Sequence, residues 1–152
     1  MLNFEIGVRS NSQSKVHDQK HHPFFNYICR AWTSITDQKC EMEDIYVDKD
    51  LKPSIKDTYS ATVSRFCFPY PQNEIPIGEF FSYCLTDADK NYSYCFCYVS
   101  GSNVQIGLKY TVFALFTSYF HPHLCSELIF KIATLFSENI DACKSFINHY
   151  SN

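Results

Sequence analysis

Three cysteines in the middle of this sequence could bind a metal ion through their thiolate groups. Cys95 and Cys97 stand two residues apart, Cys84 lies shortly before them, and thiolates bind zinc in tetrahedral sets. Zinc sites favour Cys-x-x-Cys spacing, however, and residues two apart in a strand point into the same packed face. A Cys/His metal-binding domain is therefore the weakest alternative. We interpret four cysteines as small buried hydrophobic residues: Cys84, Cys95, Cys97 and Cys125.

The other candidate sites lack the partners that their chemistry requires. The segment 121–123 holds two histidines, but no second motif of matching spacing accompanies it, and no neighbouring base marks any cysteine as a nucleophile. Asp48 and Asp50 resemble the start of a calcium loop, but Lys52 and Pro53 occupy positions that need a ligand or freedom to turn. The four glycines stand too far apart for a phosphate loop. The sequence predicts no catalytic residue, metal or cofactor, which favours a recognition surface.

Length and composition favour one globular domain. A chain of 152 residues is large enough to bury a sizeable core. The formal net charge of −3, with scattered Lys and Arg, argues against nucleic acid and anionic membranes as partners. The uncharged stretch from Tyr110 to Phe120 is shorter than the roughly 20 apolar residues of a spanning helix. Met1 to Arg9 lacks the pattern of a secretory signal, so we expect a cytoplasmic protein with reduced thiols.

Apolar alternation predicts a β-hairpin over residues 80–99. Tyr92, Tyr94, Phe96 and Tyr98 fall on one face of a strand, and the smaller residues between them fall on the other. Residues 80–86 alternate in the same way, so we expect both faces of the sheet to be largely covered by helices. The connection 87–91 is rich in Asp and Asn, which favour turns.

The segments before this hairpin show weaker patterns. Residues 1–22 are predicted to be a flexible N-terminal arm, followed by a first strand over 24–32. The charged stretch 36–57 is interpreted as a solvated loop with one short strand at 45–47. Asp57 or Thr58 is expected to cap a short helical turn that ends at Val63.

After the hairpin, the pattern changes from strand to helix. Residues 111–116 predict a further strand of the central sheet, and Pro122 suits the first position of a helix. That helix repeats apolar residues at three- and four-residue spacing, with Glu127 and Lys131 paired on its outer face. The apolar stripe consists of Leu124, Leu128, Ile129, Ile132, Leu135 and Phe136. A second helix over about 141–150 is predicted to place Ala142, Phe146 and Tyr150 on one face, with Cys143 and Ile147 beside them. Strands followed by helices indicate an α+β fold.

Three of these segments resemble the upstream (uDENN) module of DENN-domain proteins, most closely that of the connecdenn group. Those proteins place a Phe-Cys-Phe-Pro element before a strand that ends in Leu-Thr-Asp, followed by an aromatic strand that contains Cys. The matching residues here are Phe66, Cys67, Phe68, Pro69, Leu85, Thr86, Asp87, Tyr94 and Cys95. The family usually has Gly where Ser93 stands. On this resemblance, residues 23–152 form the module, without the central and downstream lobes of a complete DENN unit.

The resemblance implies a longin-like antiparallel sheet packed with C-terminal helices. It also implies the N-terminal lobe of a guanine-nucleotide exchange factor that recognises Rab GTPases in endocytic membrane traffic, incomplete for exchange when alone. Such a protein would need no cofactor and would be recruited to endocytic membranes or clathrin-coated vesicles. The alternative is a non-catalytic longin-type adaptor that binds other trafficking proteins through the same sheet and helices.

Overall fold

The chain folds as an antiparallel sheet with helices on both faces. A computed structural model describes residues 24–34, 40–68, 77–87, 89–102 and 109–151. In these ranges one helix lies on one face of a five-stranded sheet and a helical pair lies on the other. This arrangement confirms the predicted α+β class and is consistent with a longin-like fold. The predicted flexible arm over 1–22 lies outside the described residues.

The five strands are all antiparallel to their neighbours. They are β1 (Tyr27–Ser34), β2 (Cys40–Val47), β3 (Phe80–Thr86), β4 (Tyr92–Ser102) and β5 (Lys109–Thr117), in the spatial order β2-β1-β5-β4-β3. The chain therefore inserts β5 between its first two and its middle two strands, and β5 is apolar along most of its length. Val112 through Phe116 are all buried because helices cover both of their faces.

Strand β2 is longer than the sequence indicates. We expected a solvated loop with a short strand at 45–47, but the strand has eight residues, and seven of them pair with β1. The acidic residues that suggested a loop suit an edge strand, because an edge is hydrated. Glu43 lies opposite Arg30 and forms an ion pair with it at 3.3 Å, and Trp32 Nε1 donates a hydrogen bond to Glu41 at 3.3 Å.

The first described helix, α1 (Pro53–Phe66), also exceeds its prediction. It begins before Asp57 and Thr58, so neither residue caps it, and Thr58 instead bonds to the carbonyl oxygen of Ser54 inside the helix. Pro53 occupies the start of the helix, where its missing N–H is not needed. The sequence prediction failed because Lys52, the N-cap residue, offers no side-chain hydrogen bond to the helix.

The two C-terminal helices are α2 (Pro122–Glu138) and α3 (Ile140–Ser151), which confirms the predicted helical pair. Asn139 lies between them, and its side-chain oxygen accepts hydrogen bonds from the N–H groups of Asp141 and Ala142. The predicted buried faces are partly wrong. Leu124 is 43% exposed, and the stripe begins at Cys125. Helix α3 buries Cys143, Ile147 and Ser151, the face beside the predicted one, while Tyr150 is exposed.

Candidate partner-binding surface

A tight turn fixes the β3–β4 hairpin. The Asp87 carboxylate accepts hydrogen bonds from the N–H groups of Asp89 and Asn91, each at 2.9 Å. The bond from the Asn91 amide lowers the pKa of Asp87, because it stabilises the charged form. Lys90 has a φ of 63°, in the left-handed region. The Asp- and Asn-rich sequence thus forms the predicted hairpin turn.

Helix α1 is attached to this hairpin by hydroxyl groups and aromatic rings. The hydroxyl of Tyr83 lies 2.9 Å from that of Thr62, and the hydroxyl of Tyr59 lies 2.9 Å from that of Ser93. The ring of Phe66 packs edge-on against Tyr83, with centroids 5.2 Å apart. The sheet and helix therefore meet through tyrosines whose hydroxyl groups have partners, and these hydrogen bonds offset the cost of removing the hydroxyls from water.

The opposite end of α1 is fixed to strands β1 and β2 through Asp44. Its carboxylate accepts a 2.5 Å hydrogen bond from the Tyr27 hydroxyl and lies 2.6 Å from Lys56 Nζ. This contact raises the pKa of Lys56, because it stabilises the ammonium form. Burial raises the pKa of Tyr27, so its hydroxyl keeps the proton that it donates. The position of α1 over the sheet is thus set at both ends by polar contacts.

Buried thiols fill the space between α1 and the hairpin. Cys97 Sγ lies 3.8 Å from Cys67 Sγ and 3.5 Å from Cys95 Sγ. Burial raises the pKa of Cys97 well above its usual range, so the group stays a neutral thiol. A neutral, enclosed thiol is a poor nucleophile and a poor metal ligand. Within the described ranges, no three His, Cys, Asp or Glu side chains are placed to hold a metal ion.

The predicted burial of cysteines is confirmed at three positions and wrong at one. Cys95, Cys97 and Cys125 have at most 1% of their surface exposed. Burial also raises the pKa of Cys125 to about 11. Cys84 is exposed, because it lies on the side of edge strand β3 that the described helices leave uncovered.

The residues that carry the family resemblance occupy several environments. Phe66 is 44% exposed at the end of α1, Cys67 is the buried residue that follows it, and Phe68 packs against the same core. Leu85 packs against that core from β3. The structure therefore brings the first two motif segments together on the α1 face of the sheet.

Of the remaining motif residues, only Cys95 joins that group. Thr86 is exposed, and Asp87 forms the turn. Cys95 faces α1, whereas Tyr94 faces the opposite side of the sheet. Pro69 lies outside the described residues.

An outer aromatic patch lies on the other face of the sheet and is formed by Phe80, Tyr94, Tyr98, Phe120 and Phe130. Ring centroids are 4.9 Å apart for Phe80 and Tyr98, 5.2 Å for Tyr98 and Phe130, and 5.2 Å for Tyr94 and Phe120. Phe80, Phe120 and Phe130 are 45%, 62% and 47% exposed. An apolar cluster at the surface is a typical binding site.

Helix and strand dimensions explain why this patch stays open. Each helix covers about 10 Å of sheet and strands are spaced about 4.8 Å apart, so two helices cover about four strands. Helices α2 and α3 pack against β1, β2, β4 and β5, and the same side of β3 is left exposed at Phe80, Ser82, Cys84 and Thr86. The patch is not apparent from the strand pattern, because the alternation in β3 and β4 predicts two covered faces. Phe130, which stands outside the apolar stripe of α2, was the available signal.

Residues 49–100 match the family model of the uDENN domain. The matched segment contains α1, β3 and most of β4, together with Cys67, Cys95 and Cys97 and all nine motif residues. This match supports the resemblance to the upstream module of DENN-domain proteins. No curated protein matches the chain. In the described ranges, no helix has the length and apolar character needed to cross a bilayer.

Proposed function

We propose that this chain is the N-terminal lobe of a DENN-type guanine-nucleotide exchange factor that recognises Rab GTPases. The observation that carries the proposal is the uDENN match over residues 49–100, in a chain whose sheet and helices are consistent with a longin-like fold. DENN proteins generally regulate small GTPases by promoting nucleotide exchange. The finer proposal, from the motif resemblance, is a connecdenn-type protein that acts in endocytic membrane traffic and is cytoplasmic.

Exchange of this kind requires a binding surface rather than reactive side chains. A factor that binds the nucleotide-free GTPase more tightly than the GDP-bound form shifts the population toward the empty state. We propose that the motif residues Phe66 to Phe68, Leu85 and Cys95 shape the lobe by packing rather than by touching the GTPase.

The outer aromatic patch is the surface that we assign to the GTPase. Its exposed rings are held by neighbouring rings, so little side-chain entropy is lost on binding. Stable complexes bury about 1,200 Å² or more in total, which exceeds what a few aromatic side chains supply. We therefore expect this lobe to recognise its partner and to be incomplete for exchange when alone.

The experiment measures fluorescent-GDP release from a panel of Rabs at high concentration of the purified chain, together with binding to nucleotide-free Rabs. Binding to at least one nucleotide-free Rab without faster release is the expected result, and accelerated release would show that this lobe suffices. No binding to any Rab would contradict the proposal and favour the adaptor. Phe120→Ala with Phe130→Ala should abolish binding, whereas Ser145→Ala, at an exposed position of α3, should leave it unchanged.

A further inference from the structure

The two edges of the sheet differ in charge. Strand β2 carries Glu41, Glu43 and Asp44, and charges of this kind protect an edge from pairing with another chain. Strand β3 has no charged residue from Phe80 to Thr86 and no proline. Among the described residues, no strand pairs with its outer side. Such an edge is a template for an added strand.

The hydrogen bonds at its two ends show which backbone groups face outward. The Val99 N–H donates to the Glu79 carbonyl, and the Asp87 N–H donates to the Asn91 carbonyl, each at 3.0 Å. In an antiparallel ladder the bonded positions alternate, so Phe81, Tyr83 and Leu85 direct their N–H and C=O groups toward β4. The groups that point away from β4 belong to Phe80, Ser82, Cys84 and Thr86.

We propose that the β3 edge binds an extended segment of a partner protein, an apolar strand with basic residues at its ends. The added strand would bond to the outward N–H and C=O groups of β3. Exposed carboxylates lie at both ends of the uncharged β3 edge: Glu79 before it, and Asp87 and Asp89 after it. These negative charges favour basic residues at the two ends of the added strand. This inference is independent of the proposed function, because it uses the backbone of the edge rather than the outer aromatic patch.

The same charges disfavour a second copy of the chain as the occupant. Antiparallel self-pairing of β3 about Tyr83 places Glu79 of each copy opposite Asp87 of the other. Like charges that lie directly opposite across strands are destabilising, and the symmetry of a dimer applies this repulsion twice. A strand with basic flanks turns both repulsions into attractions.

Two synthetic peptides test the proposal on the full chain. Each alternates Thr and Val over about seven residues, the length of β3, but one has lysine pairs at both ends and the other has glutamate pairs. We expect the lysine peptide to bind at least about tenfold more tightly at low salt, with the difference shrinking as salt is added. Equal affinities, or no binding of the lysine peptide, would overturn the proposal.

Amide hydrogen exchange identifies the site of binding. In the free protein, the amides of Phe81, Tyr83 and Leu85 should be protected, while those of Ser82 and Cys84 should exchange fast. The lysine peptide should slow exchange at Ser82 and Cys84 and leave the other three unchanged. Protection of Ser82 and Cys84 in the free protein would overturn the proposal. Protection that increased with protein concentration would indicate that a second copy of the chain occupies the edge. Protection that did not change with concentration would indicate that another segment of the same chain occupies it.

Variants separate backbone pairing from charge. Ser82→Pro removes an outward N–H without removing a bond to β4, and it should weaken binding of the lysine peptide at least about tenfold, whereas Ser82→Ala should not. Glu79→Gln with Asp89→Asn keeps the edge backbone and the Asp87 turn, and should cost about tenfold in affinity for the lysine peptide. Unchanged affinity in that double variant would overturn the proposal even if Ser82→Pro failed to fold.

Discussion

The two faces of the sheet are built from different side chains and reach different degrees of closure. On the α1 face, small thiols and alanines leave room for the large ring of Tyr59, which stacks on Phe116 with centroids 4.2 Å apart. On the α2–α3 face, Phe and Tyr rings extend from β4 and β5, and two helices do not cover them all. The α1 face also carries the rings of Tyr27, Tyr83 and Phe116, and one helix buries the middle of that face because small residues lie between the rings. The α2–α3 face keeps exposed rings that become binding surface.

The largest expected effect is on the α1 face. Tyr59→Ala should lower the free energy of unfolding by about 3–5 kcal/mol, because it removes a buried ring and leaves a cavity. Phe120→Ala, at a ring that is 62% exposed, should cost less than about 1 kcal/mol. Urea unfolding measures both variants. Similar losses would mean that the outer aromatic patch stabilises the fold as much as the closed face does.

Within α2, the same contrast can be made between buried and exposed apolar residues. Ile129→Ala should cost about 2–5 kcal/mol because Ile129 is fully buried, and Leu124→Ala should cost less than about 1 kcal/mol because Leu124 is 43% exposed. Thermal unfolding followed by circular dichroism compares the two variants. A large loss of stability in Leu124→Ala would mean that Leu124 is buried, as the sequence predicts, and would contradict the observed helix face.

Replacing sulfur by oxygen distinguishes the buried thiols from the exposed one. Cys97→Ser should lower the free energy of unfolding by about 1–3 kcal/mol, because the hydroxyl is placed among apolar groups and thiols. Cys84→Ser should be nearly neutral, since Cys84 is exposed. In the folded wild-type protein, a thiol reagent should modify Cys84 before Cys97. The reverse order, read by mass spectrometry of digested protein, would contradict the assigned faces.

The smallest expected effect is a pH dependence from Cys125. Its pKa is about 11 in the folded protein against an ordinary value of 9.0, so the folded state holds the proton more tightly. Its contribution to stability is complete below about pH 9 and is lost as the pH rises toward about 11. Urea unfolding across this range should show a steeper decline for the wild type than for Cys125→Ala. Parallel declines would rule out Cys125 as the cause.

Local patterns in the sequence predict the elements whose cause is local. The hairpin turn follows from Asp87 and its neighbours, whose bonds span four residues, and α2 begins at Pro122 as its helix-start chemistry predicts. The sequence does not predict the full length of strand β2 or the start of α1, because their stability comes from contacts with residues that are distant in the sequence. The acidic strand β2 is stabilised by its pairing with β1. Helix α1 begins after Lys52, which does not cap it, and its residue Tyr59 stacks on Phe116, more than fifty residues away in the sequence.

By itself, the sequence determined the class of the fold, the hairpin, the helical pair, most of the buried thiols and the motif segments that match the uDENN domain. Each of these depends on residue type and short spacing, which are properties of a chain segment. Only the tertiary structure decided which faces are closed. The insertion of β5 between β1 and β4 makes β3 an edge, and the width of two helices leaves Phe80 and Cys84 exposed. Exposure depends on what other segments cover, and no local pattern contains that information.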